Sequence, residues 1–196
     1  MKQVWMAAML GIAVLGLAVP ARAQDLKVGD PAPNFKLQAT DGKTYQLSDF
    51  KGKQAVVVAW FPAAFTRGCT IECKSLAENG GTLKTIDVSY FMASVDPLEK
   101  NIAFAKETKV DLQGRGGAPT GVIVEKKEAD FPLLSDPTKA TAMAYGVLNQ
   151  GGVANRWTFY IAKDGTIAAI DKMVNPAMSA EDMIAKLGEL KIPARR

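Results

Sequence analysis

The sequence predicts a single α/β domain, a central mixed β-sheet with helices on both faces. Three observations predict it. Ala55-Val56-Val57-Val58-Ala59 and the run from Val88 to Val95 are apolar segments of the length and β-branched character of buried strands. Segments with helical apolar spacing lie between and after them, so helices and strands alternate through the middle of the chain. The chain then closes with a hairpin and a final helix. At 196 residues, 48% apolar and 22% charged, it can bury a full core without disulfide staples.

Taken in order, Met1-Lys2-Gln3, the apolar run Val4 to Val19 and Pro20-Ala21-Arg22-Ala23 have the basic start, greasy middle and small-x-small end of a secretory signal peptide. Cleavage near Ala23 would leave a mature domain over residues 24–196 in a periplasmic or otherwise exported, oxidising compartment, with no membrane association after processing. Phe35 to Leu37 reads as a short strand, Asp41-Gly42 as a hairpin turn, and Thr44 to Leu47 as its return. Gly52-Lys53 turns the chain into the strand over residues 55–61. A helix starting near Cys69 is expected to run through Thr85, with a kink or break at Gly80-Gly81, since glycine costs about 1 kcal/mol relative to alanine there.

Asp96-Pro97 ends the strand from Val88 and opens an amphipathic helix over residues 98–106. Residues 109–130 read as an insertion loop. Their Gly114 to Gly121 stretch lacks the Gly-Lys-Ser/Thr ending of a phosphate loop and reads as surface. Phe131 to Asp136 predicts a short strand, then a helix with Pro137 in its first turn, ending near Tyr145-Gly146. Arg156 to Ala162 and Thr166 to Val174 form a hairpin about Lys163-Asp164-Gly165, and a capping box of Ser179 and Asp182 opens the last helix.

The balance of 24 basic against 20 acidic residues includes Lys2 and Arg22 of the leader, so the mature domain is nearly neutral and gives no sign of nucleic-acid binding. There is no histidine. This excludes a histidine general base, a Ser-His-Asp triad and any imidazole-dependent metal site. No cofactor or metal is expected, and chemistry must come from Cys, Arg, Lys, carboxylates and hydroxyls.

Both cysteines, Cys69 and Cys73, fall just after the 55–61 strand. A strand feeding a loop that ends in a thiol suits a nucleophile. Free thiols have pKa about 8.5 and only the thiolate attacks, so a working cysteine needs positive potential nearby. Cys69 in the first turn of a helix would receive some from the unpaired N–H groups and the macrodipole.

Pro62-Ala63-Ala64-Phe65-Thr66-Arg67-Gly68-Cys69 resembles the P-x-x-x-T-x-x-C active-site motif of the peroxiredoxins, thiol peroxidases on a thioredoxin-like fold. The blocks from Phe131 to Asp136, Tyr145 to Val147, and Arg156 through Ile167 are similar to the bacterioferritin-comigratory (Q-type) branch of the alkyl hydroperoxide reductase/thiol-specific antioxidant family. The resemblance implies that Cys69 attacks a hydroperoxide and becomes a sulfenic acid. It implies that Arg156 supplies the cation, Thr66 a hydroxyl at the thiolate or peroxide, Pro62 a water-shielding loop, and Glu72 an acid that orients the arginine.

The branch commonly carries its second cysteine five residues after the first, where this chain has Lys74. Cys73, four residues on, is the candidate resolving thiol. On one helix face the two Cβ atoms lie about 5–6 Å apart, whereas a disulfide wants about 3.5–4.5 Å. The first turn must therefore unwind for the bond to form. Reduction by a thioredoxin-like protein or a low-molecular-weight thiol would close the cycle, in a monomer or weak dimer. Two other readings stay open on the residues. One is a Sco-like thiol module for Cu(I), although that family completes its site with a histidine absent here. The other is a noncatalytic exported binding domain. The Cys-x-x-Cys spacing of a disulfide reductase is not present.

Overall fold

The computed structural model describes residues 25–114 and 116–195. The segment read as a signal peptide lies outside the described residues. The elements are β1 (Lys36–Ala39), β2 (Thr44–Gln46), β3 (Ala55–Trp60), α1 (Arg67–Asn79), β4 (Val88–Ser94), α2 (Leu98–Lys106), β5 (Lys109–Gln113), β6 (Pro119–Glu125), β7 (Leu133–Ser135), α3 (Ala140–Ala144), β8 (Thr158–Ile161), β9 (Ile167–Asp171) and α4 (Ser179–Glu189). Seven strands form one mixed sheet in the order β2-β1-β7-β4-β3-β8-β9. Strands β3, β4 and β7 run parallel, while β1 pairs antiparallel to β7, and β8 to β3.

The centre of the sheet follows from the apolar runs. All six residues of β3 are buried, as a strand covered on both faces requires. Alternate side chains serve two cores. Val57, Ala59, Met92, Leu133 and Tyr160 pack with residues of α1, α2 and α4 such as Leu76, Phe104 and Met183. Val56, Val58, Trp60, Phe91 and Phe159 face the other way, onto Ala142 of α3, Tyr145 and Leu47. Among the described residues no helix is long and apolar enough to cross a membrane.

Several boundaries depart from the sequence expectations. The break at Gly80-Gly81 is a change of helix type, with α1 giving way to a 3₁₀ segment over Gly80–Thr85. The helix expected at Pro137 begins instead at Ala140. Asp136 holds the preceding turn by accepting from the Thr138 hydroxyl at 2.9 Å and the Ala142 N–H at 2.8 Å. The capping box at Ser179 is also corrected. Ser179 is already helical, and its helix has no side-chain cap. Asn175 caps the short 3₁₀ turn Pro176–Met178, accepting from the Ala177 N–H at 3.1 Å, and Ser75 of α1 accepts from the Ala180 N–H at 3.1 Å.

The largest correction falls on the segment read as a loop. Residues 109–113 and 119–125 form a separate two-stranded antiparallel hairpin, β5 with β6, with Gly114, Gly116 and Gly117 between the strands. Its alternation was legible in Val110 and Leu112, both buried beside exposed or half-buried neighbours. Strand β6 is almost wholly exposed, so its sequence carried no burial signal. The hairpin leans on the cysteine loop and α1. Gln113 N–H donates to the Phe65 carbonyl at 2.9 Å, and Lys74 Nζ donates to the Glu125 carbonyl at 2.6 Å.

Candidate active site

Strand β3 ends at Trp60 and its backbone pairing continues one residue further, Phe61 N–H donating to Ala93 O at 2.9 Å. The chain then turns sharply through residues 62–66. Two features hold that turn. Asp96, at the end of β4, accepts the Ala64 N–H at 2.8 Å. Phe65 adopts φ +70°, a left-handed conformation that is uncommon for a bulky residue, and its ring lies edge-on to Phe104 at 5.3 Å.

Thr66 is the N-cap of α1, and Cys69 falls in the first turn. Its sulfur therefore lies where the N–H groups of the helix start have no carbonyl partners within the helix. Thr66 does not cap with its hydroxyl, which donates to the Ala63 carbonyl at 2.9 Å. Pro62 and Thr66 are half-buried, and Arg67 points to solvent.

Arg156 arrives on the approach to β8, the strand directly beside β3. Trp60 N–H donates to the Trp157 carbonyl at 2.9 Å, which brings the residue just before β8 alongside the end of β3. Arg156 Nη2 donates to Cys69 Sγ at 3.2 Å, and its Nη1 donates to Glu72 Oε2. The three side chains thus form a row of thiol, guanidinium and carboxylate, with 87 residues of sequence between its sulfur and its arginine.

Burial sets the electrostatics of this row. The Glu72 side chain is fully buried and its Oε1 has no hydrogen-bond partner. Burial pushes its carboxyl up to about 7, against the opposing pull of Arg156. Burial disfavours the Arg156 charge, but Glu72 and Cys69 outweigh it and raise its affinity for a proton. Both sulfurs are 0% exposed and unpaired. The Arg156 side chain, 17% exposed, links the buried Cys69 sulfur to the surface.

Cys73 sits on the same buried face of α1 within the core of Phe61, Leu76 and Phe104. Burial drives its thiol up to about 12, only partly offset by Lys126. The two thiols therefore occupy unlike surroundings. One contacts a guanidinium and the other lies in an apolar core.

Two residues escaped the sequence reading. A Cβ on Gly68 would lie 2.9 Å from Arg156 Nη2, so only glycine leaves the guanidinium room to reach the sulfur. The signal was present in the glycine directly before the cysteine, but its distant partner was not. Asp96 was read as a strand end, and its grip on the Ala64 N–H depends on a contact 32 residues away in sequence.

Comparison with known proteins agrees with a thioredoxin-like thiol protein. Residues 28–170 match the AhpC/TSA family, and the chain belongs to that family, the peroxiredoxins. Peroxiredoxin Bcp of Escherichia coli is 33% identical over 149 residues, covering 72% of this chain and 83% of the relative. The chloroplastic 2-Cys peroxiredoxin of Spinacia oleracea is 30% identical over 155 residues, covering 76% of this chain. The match spans about half, 54%, of that longer plant protein. Among solved structures, peroxidoxin BcpB from Mycobacterium tuberculosis superposes with a TM-score of 0.67 at 25% identity, over 84% of this chain and 98% of the other. A PrxQ mutant from Xylella fastidiosa shares the fold, with a TM-score of 0.65 at 19% identity over 86% and 99% of the two chains.

Proposed function

We propose that this protein is an exported thiol-dependent peroxidase acting on hydrogen peroxide or organic hydroperoxides. The observation that carries the reading is the 3.2 Å hydrogen bond from Arg156 to Cys69 at the start of α1. A cation and a helix start converge there on one sulfur, an arrangement that can hold the charge developing on oxygen as the O–O bond breaks. Cys69 thiolate attacks the outer oxygen of the hydroperoxide. The O–O bond breaks, and water or an alcohol leaves with the proton, giving a sulfenic acid.

Arg156 polarises the peroxide while Glu72 orients the guanidinium. The Thr66 hydroxyl, its proton engaged by Ala63 O, offers lone pairs to the O–H of the bound hydroperoxide, and Pro62 shields the site from water. Cys73 then resolves the sulfenic acid as an intramolecular disulfide, so the cycle can run within one chain. A thioredoxin-like protein or a small thiol reduces it. A guanidinium against the sulfur argues against the copper(I) alternative, because it repels a metal cation from the same atom.

Stopped-flow oxidation of the reduced protein by hydrogen peroxide tests this reading. Cys69→Ser should abolish the fast reaction, Cys73→Ser should keep it while forming no disulfide, and Arg156→Ala should slow it about 10²–10³-fold. Fast oxidation surviving in Cys69→Ser would overturn the assignment.

A further inference from the structure

The resolving step has an electrostatic difficulty that the Arg156 site does not address. Cys73 must attack as a thiolate, yet it is fully buried in an apolar core. Glu72 and Cys69, on its own helix, oppose negative charge there.

Lys126 sits directly after β6, and its 4% exposure makes it the one buried lysine or arginine among the described residues. Its Nζ donates to the Ala105 carbonyl at 3.1 Å and the Lys127 carbonyl at 3.3 Å, and lies 5.5 Å from the Phe104 ring centroid. An ammonium has three N–H donors, so those two carbonyls leave one N–H unused. Phe104 and Ala105 belong to the same core cluster as Cys73. The hydrogen bond from Lys74 Nζ to the Glu125 carbonyl independently sets the residue after Cys73 beside the residue before Lys126.

We propose that Lys126 is a positioning residue of the resolving step, contributed by the β5–β6 hairpin, whose buried ammonium offsets the charge of the Cys73 thiolate. This rests on the reading of Cys73 as the resolving thiol. The first turn of α1 unwinds and Cys73 loses its proton. Its sulfur then attacks the sulfur of the Cys69 sulfenic acid. The S–S bond forms, the S–O bond breaks, and the departing hydroxide takes up the proton to leave as water. Cys73 is oxidised and Cys69 reduced by the same electron pair.

The groups facing this pair are few. Cys73 feels the charges of Lys126, Glu72 and Cys69, and Lys126 those of Cys73, Glu107 and Glu128. Burial pulls the Lys126 ammonium below its usual range, while Cys73, Glu107 and Glu128 pull it back up.

The test follows disulfide closure by rapid acid quench and thiol mass spectrometry after one equivalent of hydrogen peroxide, from pH 5.5 to 9. Lys126→Met keeps the aliphatic stem over Phe104 and removes the charge; Lys126→Arg keeps the charge. In Lys126→Met, closure should slow about tenfold at pH 7 and its pH profile should move up by about one unit. Peroxide oxidation of Cys69 should be unchanged, and Lys126→Arg should restore most of the closure rate. A Lys126→Met closure profile matching wild type, or an equal slowing of Cys69 oxidation, would overturn the role of Lys126 while leaving the peroxidase reading intact. Absence of any Cys69–Cys73 disulfide in wild type would overturn both the resolving assignment and this inference.

Discussion

A single missing methyl group decides whether the arginine meets the sulfur. Gly68 and Arg156 are too close for any side chain at position 68, so Gly68→Ala should push the guanidinium off Cys69 without touching the core. A displacement of about an ångström at a reacting group can cost about 10²-fold in rate. We expect peroxide oxidation of Gly68→Ala to fall by about 10–100-fold, with the denaturation midpoint little changed, read by stopped-flow fluorescence and urea unfolding. Cys69, Arg156 and Glu72 were each legible in the sequence through the motif and block resemblance, and the structure brings the three into one row. Lys126 was not legible. Its burial depends on a hairpin whose second strand is exposed and carries no periodic pattern.

At the scale of elements, the proposed resolving step asks opposite things of the two ends of α1. The C-terminal part is fixed by Leu76 in the core and by Ser75, which accepts from the start of α4. The first turn is held by the Thr66 carbonyl, which accepts from the Thr70 N–H and the Thr70 hydroxyl, each at 2.9 Å. Disulfide closure between Cys69 and Cys73 requires this turn to open, because the helical separation is too long for the bond. Hydrogen exchange should therefore show lost protection over residues 70–73 in the oxidised protein, with β3 and α4 unaltered. Equal protection in both redox states would contradict closure by local unwinding.

Element boundaries show where sequence reasoning succeeds and fails. β3, β4 and α2 stood where their apolar runs and Pro97 placed them, because burial on both faces or one stripe leaves a periodic trace. The start of α3 did not, and α4, though it begins at the expected Ser179, is not capped by the expected Ser179–Asp182 box. Their N-terminal N–H groups are met by Asp136 and by Ser75 of another helix, partners that no local pattern displays.

For the whole molecule, the buried acid beneath the active site links stability to pH. Glu72 binds its proton more tightly folded, at about 7, than at its ordinary value of 4.5. Its contribution to stability is thus complete below about 4.5 and declines as pH rises toward 7, since the unfolded chain gives up that proton first. Urea midpoints of wild type should fall across this window by more than those of Glu72→Gln, which cannot ionise. An identical pH dependence in the two proteins would show that the carboxyl is not held protonated by the fold.

The zero exposure of both sulfurs makes access to each of them depend on which side chain or turn moves. A hydroperoxide would reach Cys69 only when the partly exposed Arg156 side chain shifts, and a protein-sized thiol partner would need the first turn of α1 to open as well. In the proposed cycle the opening that closes the disulfide would also bring sulfur within reach of a reductant. Oxidant and reductant would in that cycle meet sulfur in different states of the helix, separated in time by its burial.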